Sequence, residues 1–132
     1  MPVAGPTERR TSRLEGGRDA FAFLAGLATR RERVSYADFA FALGLGSPRG
    51  LSWLLGPLLR WCAAEGLPPL PIIVVRRSDG LPSGGYDPAT VEAETLRVFD
   101  REWATVRPPD ASDLLPHARP PGVRRLRRAA CP

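Results

Sequence analysis

Val34-Ser35-Tyr36-Ala37-Asp38-Phe39-Ala40, then Gly44-Leu45-Gly46, then Ser47-Pro48-Arg49 is the stretch on which the fold turns. Ser35 and Asp38 stand three apart ahead of an apolar run, the spacing of a capping box. In that motif the hydroxyl accepts an N–H of the first turn and the carboxylate reaches back to the cap. A short helix through about Leu43 is expected. Gly44 and Gly46 break it, and Ser47-Pro48 supplies a second N-cap with proline at the first helical position, where a missing N–H costs nothing. Two short helices joined by a glycine turn have the order of a helix-turn-helix.

Toward the N-terminus, Ala20, Phe21, Phe23, Leu24, Leu27 and Ala28 recur at helical spacing from Arg18 onward. The run closes in Arg30, Arg31 and Arg33, charges that suit a helix C-terminus. Residues 1–15 carry little apolar content and read as a flexible terminus. Toward the C-terminus, the helix that starts at Ser47 contains Gly56-Pro57. Proline removes a donor and disfavours a helical residue before it, so a kink or a split is expected, with an end at Gly66. Leu70–Val75 reads as a strand and Arg76-Arg77-Ser78-Asp79-Gly80 as the turn after it, which a returning strand would complete as a two-stranded wing. Asp87-Pro88 opens a last helix with the stripe Val91, Thr95, Val98, Phe99, Trp103 and Val106. Beyond Arg107 the chain is rich in proline and arginine without periodicity, and is expected to be disordered when unbound. The expected organisation is a flexible stretch 1–15, one mainly α (α+β) winged helix-turn-helix domain over 16–106 with a small β-wing and a C-terminal helix, and an Arg/Pro-rich tail 107–132.

The 132 residues suffice for one hydrophobic core. All 19 basic residues are arginine, against 14 acids, for a net charge of +5. Residues 107–132 hold six of those arginines against Asp110 and Asp113, so the basic excess is concentrated there. Cys62, in an apolar helical stretch, and Cys131 make neither a disulfide framework nor a metal site, and Cys62 reads as a small buried hydrophobe. His117 is the single histidine and cannot form a triad or a ligand cluster alone. No carboxylate pair is placed by a motif for acid/base work, and Gly84-Gly85 belongs to the wing rather than to a phosphate loop. No cofactor, metal or small-molecule substrate is expected. There is no signal-peptide pattern and no apolar run near 18 residues, so a cytoplasmic protein without a membrane partner is expected.

Val34–Ala40, Ser47-Pro48-Arg49 and Pro71-Ile72-Ile73-Val74-Val75-Arg76-Arg77-Ser78-Asp79-Gly80 through Ser83-Gly84-Gly85-Tyr86 together resemble the DNA-binding domain of alkylguanine-DNA alkyltransferases and their prokaryotic alkyltransferase-like relatives, over about residues 18–100. The resemblance implies a winged helix in which the tyrosine opening the second helix, here Tyr36, presses on a DNA phosphate. The family's recognition-helix arginine, which fills the space of a flipped nucleotide, would fall near Ser52 or Trp53, where this chain departs from the pattern. The family's Pro-Cys-His-Arg motif falls on Pro71-Ile72-Ile73-Val74, which removes the nucleophile and its histidine. Alkyl transfer needs a thiolate, so the chain is expected not to be an enzyme.

Read without the family, Arg49 at a helix start with Ser47 and Ser52 could face phosphates or a guanine edge in a major groove, with Arg76 and Arg77 gripping the backbone beside it. The bland alternatives stand next to these. Tyr36 would then be a half-packed helix-start residue, Arg76-Arg77 a solvated turn, and Arg124-Arg125-Leu126-Arg127-Arg128 a solvated charge run rather than an electrostatic arm. Trp53 and Trp61 read as core or as a partner contact before a base-stacking platform. The expected function is non-catalytic binding of duplex DNA, including modified DNA. The alternative is a protein-interaction module, a phage or defence-system factor that uses Trp53, Trp61 and the leucine-rich third helix as its interface.

Overall fold

The computed structural model describes residues 14–45, 47–48, 51–82 and 86–118. Helix α1 (Gly17–Thr29) leads through β1 (Val34–Ser35) directly into α2 (Tyr36–Ala42). Helix α3 (Ser52–Ala64) follows, then a 3-10 turn (Leu70–Ile73) that runs into β2 (Val74–Val75). Helix α4 (Val91–Asp100), a 3-10 turn (Trp103–Thr105), the one-turn helix α5 (Ala111–Leu114) and a last 3-10 turn (Leu115–His117) complete the described chain. The fold is mainly helical. Its strands β1 and β2 run parallel, with Val34 opposite Val74 and Ser35 opposite Val75.

The core gathers on the apolar face of α1, where Ala20, Phe21, Leu24, Leu27 and Ala28 are buried. Phe21 is its hub: Trp61 of α3 and Trp103 meet it edge-on, with centroids 5.5 and 5.7 Å away. Such pairs are worth about 0.5–1.5 kcal/mol each beyond the area they bury. The indole N–H of Trp103 donates to the Val98 carbonyl at 2.8 Å, so its polar end is satisfied inside the core. Past α1 the chain reverses at Arg31, whose φ of 58° lies in the left-handed region usually left to glycine. That reversal carries Arg31 and Arg33 onto the ring of Phe99, each guanidinium 5.4 Å from its centroid. Arg31 also pairs with Asp100 at 2.9 Å.

Five expectations are corrected. The strand expected over Leu70–Val75 is confined to Val74–Val75, and Leu70–Ile73 form a 3-10 turn. The whole run is buried, so it has no alternation to separate strand from helix, and Pro69 and Pro71 favour the tighter turn. Of the kink or split expected at Gly56-Pro57, the split is not made: α3 is a single helix with Pro57 inside it. Gly56 has no Cβ for the proline ring to strike, and Leu54, Leu58 and Trp61 bury both halves on one core. The last helix runs only over Val91–Asp100: Asp87 caps a turn through Ala89 N–H, and extended Arg101 breaks the stripe before Trp103. Finally, residues 107–118 of the expected disordered tail belong to the fold, because Asp110 and Asp113 close a reciprocal capping box and Leu114 is fully buried. Leu14, inside the expected flexible terminus, is buried as well.

Candidate nucleic-acid interface

The parallel register decides which residues meet. Ser35 lies opposite Val75, so the residues that leave the two strands, Tyr36 and Arg76, start from the same end of the sheet. Tyr36 is half-buried as the first residue of α2. Ser35 Oγ accepts the Asp38 N–H at 3.1 Å, as its cap position requires. The reciprocal half of the expected capping box is not made. The Asp38 carboxylate instead accepts from Arg77 Nη2 at 3.2 Å, across 39 residues of chain. This ion pair clips the start of α2 to the turn after β2.

That turn is tightly held. Arg76 N–H donates to the Leu81 carbonyl and Gly80 N–H to the Arg76 carbonyl, both at 2.8 Å, with Gly80 at φ 69°. Asp79 accepts from Leu81 N–H at 3.0 Å and from Arg76 Nε and Nη2 at 3.2 and 2.8 Å. The Leu81 amide, then the Arg76 guanidinium, hold the Asp79 carboxyl below the usual carboxylate range. Among the described residues no strand follows this turn, and residues 83–85 of the expected wing lie outside them.

The structure therefore brings Tyr36, Arg76 and Arg77 together. Of the other expected site residues, Ser47 is exposed before α3, and Trp53 on the first turn of α3 is 42% exposed. Trp61 belongs to the core. The side chain of Ser52, and Arg49, Arg124, Arg125, Arg127, Arg128 and Cys131 altogether, lie outside the described residues. Sequence reasoning missed Phe41, which is 84% exposed, and Leu45 beyond it. Phe39 is buried on the same helix, and residues two apart point to opposite sides of an α-helix, so Phe41 could have been found from the spacing.

Ile72 and Ile73 are buried in the 3-10 turn. Cys62 is fully buried, and desolvation pushes its thiol up to about 11 against an opposing contact with the Leu70 backbone. Burial also pushes the Tyr86 phenol well above its ordinary value, with smaller contributions from Tyr36 and Cys62. His117 offers its backbone carbonyl to Arg60 Nε. Among the described residues no group of histidines, cysteines and acids could hold a metal ion, and no helix is long and apolar enough to cross a membrane.

Charge is distributed more unevenly than the expected boundaries suggested. Arg30, Arg31, Arg33, Arg76, Arg77, Arg97 and Arg107 each pair with a carboxylate on the described surface. Residues 119–132 hold five arginines and no acid, whereas arginines and acids balance over residues 1–118. Comparison with protein-family models, with curated proteins and with solved structures finds no match to this chain.

Proposed function

We propose that the chain is a non-catalytic DNA-binding protein on a winged-helix-like scaffold similar to the alkyltransferase-like proteins. It engages duplex DNA through Tyr36, the segment that opens α3 (Ser47, Arg49, Ser52, Trp53) and the Arg76-Arg77 turn. Arg124, Arg125, Arg127 and Arg128 add an electrostatic arm. The observation that carries this reading is the grouping of Tyr36, Arg76 and Arg77 at one end of the parallel strands, clipped by Asp38. The buried Ile72-Ile73 pair and the protonated, buried Cys62 support its non-catalytic part. Because residues 1–118 are balanced in charge, long-range attraction to DNA falls to the last fourteen residues. Five phosphate contacts there would give a slope of log affinity on log salt of about −4 to −5.

Fluorescence anisotropy tests this with plain duplex, alkylguanine-containing duplex and single-stranded DNA across a salt series. The full chain is compared with a variant carrying Arg124, Arg125, Arg127 and Arg128 as alanines. Residual duplex binding by that variant, weakened further by Arg76→Ala and Arg77→Ala, is the expected result. No duplex binding by either protein at low salt overturns the reading. A second reading, a protein-interaction module, is favoured by the exposure of Phe41, Leu45 and Trp53. Leaving one large apolar side chain in water forgoes roughly 1.5–3 kcal/mol of burial, which a partner surface would recover. Loss of all DNA binding, together with a specific partner that Phe41→Ser releases, would establish this second reading.

A further inference from the structure

We infer that Asp38 and Asp79 are built-in competitors for the phosphates that Arg76 and Arg77 would otherwise grip, so that this edge of the body discriminates against non-specific DNA. The inference rests on the DNA-binding reading. Arg76 presents Nε and Nη2 to both oxygens of Asp79, which is the same two-pronged edge that would receive a phosphate. Asp79 is held in place for this by the Leu81 N–H, and Asp38 by its position in the first turn of α2. Neither acid needs to move to occupy its arginine.

Both pairs are open to solvent, with side chains 48% and 41% exposed for Arg76–Asp79 and 73% and 66% for Arg77–Asp38. Pairs of this kind hold weakly, so a phosphate can exchange for the carboxylate. The exchange is close to balanced and releases little net charge. A backbone that merely passes by therefore gains almost nothing from these two arginines. A duplex that also engages Tyr36 and the start of α3 holds its phosphates in place long enough to displace both acids. The balance of arginines and acids over residues 1–118 agrees with such a device.

The test is salt-dependent anisotropy of the full chain on plain duplex, with Asp38→Asn and Asp79→Asn together. Asparagine keeps an oxygen for the Leu81 N–H, and thermal melts of each single variant verify the fold. Expected is binding tighter by roughly 2- to 30-fold, the range for two exchangeable exposed pairs. The slope of log affinity on log salt should steepen by up to about 1.8. The gain should vanish when Arg76 and Arg77 are alanine. It should also exceed the gain from Glu65→Gln with Glu102→Gln, an equal loss of charge at exposed acids that face neither arginine. A gain matched by that control, or one that survives the arginine substitutions, overturns the inference. If Arg76→Ala and Arg77→Ala weaken binding while the asparagines change nothing, the DNA-binding reading stands and the competition fails. If neither the native chain nor the asparagine variant binds duplex at low salt, the reading itself fails and the inference goes with it.

Discussion

The seam where residues 107–118 settle on α1 and α3 and the edge that carries Tyr36, Arg76 and Arg77 are built from opposite materials. At the seam Leu114 is fully buried beside Leu54, in a notch that exists because Gly17 has no side chain; a Cβ there would overlap Leu114 Cδ1. The Asp110–Asp113 capping box closes its helix, and Arg60 ties down the His117 carbonyl. At the edge the contacts are ion pairs between exposed side chains. Apolar burial is insensitive to salt and is lost cooperatively, whereas exposed pairs contribute little to stability and exchange readily. The comparison teaches that the molecule keeps its stability on one side and leaves the other free to vary in charge without unfolding.

Leu114→Ala gives the largest test of that contrast. Removing a buried leucine should cost about 2–5 kcal/mol. At roughly 4–8 °C per kcal/mol for a domain of this size, thermal unfolding by circular dichroism should shift down by about 10 °C or more. A midpoint within a degree or two of the native chain would mean the seam is not packed. Gly17→Ala sharpens the point, since it should cost about 1–3 kcal/mol by overpacking, and much less in the Leu114→Ala background where the notch is empty.

Cys62 provides the next test. Burial pushes its folded thiol up to about 11 from the ordinary 9.0, so the folded state favours the protonated form. The resulting stability is fully present below pH 9 and is lost as pH rises through 11, at about 1.4 kcal/mol per pH unit in that window. Cys62→Ser has no group that titrates in this window and should remove the pH 9–11 loss, whatever the hydroxyl costs at neutral pH. The cleaner readout is peptide mass spectrometry after iodoacetamide at pH 8: Cys62 should stay unmodified until denaturant is added. The smallest effect belongs to the edge. Arg77→Ala should change unfolding stability by less than about 0.5 kcal/mol, measured in urea. A loss comparable to that of Leu114→Ala would erase the distinction between the two regions.

What was legible in the sequence follows the range of the interactions concerned. Ser35 as an N-cap, α1 from its apolar spacing and the stop at Gly66 depend on neighbours within a turn, and all were readable. The Asp110-Ala111-Ser112-Asp113 box ahead of Leu114-Leu115 was equally local, but the surrounding prolines and arginines hid it. The partner of Asp38 was not readable, because Arg77 reaches it only after β1 and β2 have paired. The parallel pairing was itself obscure, since two-residue strands carry no period. For the candidate site, Tyr36, Arg76 and Arg77 could be named from sequence. That each arginine is already occupied by an acid could not.

The bond from Arg60 to His117 has a consequence for the chain beyond it. With residues 107–118 fastened down, Ala118 is a fixed point on the body beside α3, and all five arginines of the unbalanced stretch follow it in sequence. Were the seam to open, residues 107–118 would be released with their one arginine and two acids. A leucine in a glycine notch, touching no ligand, thereby sets where on the body the arginine excess of this protein begins.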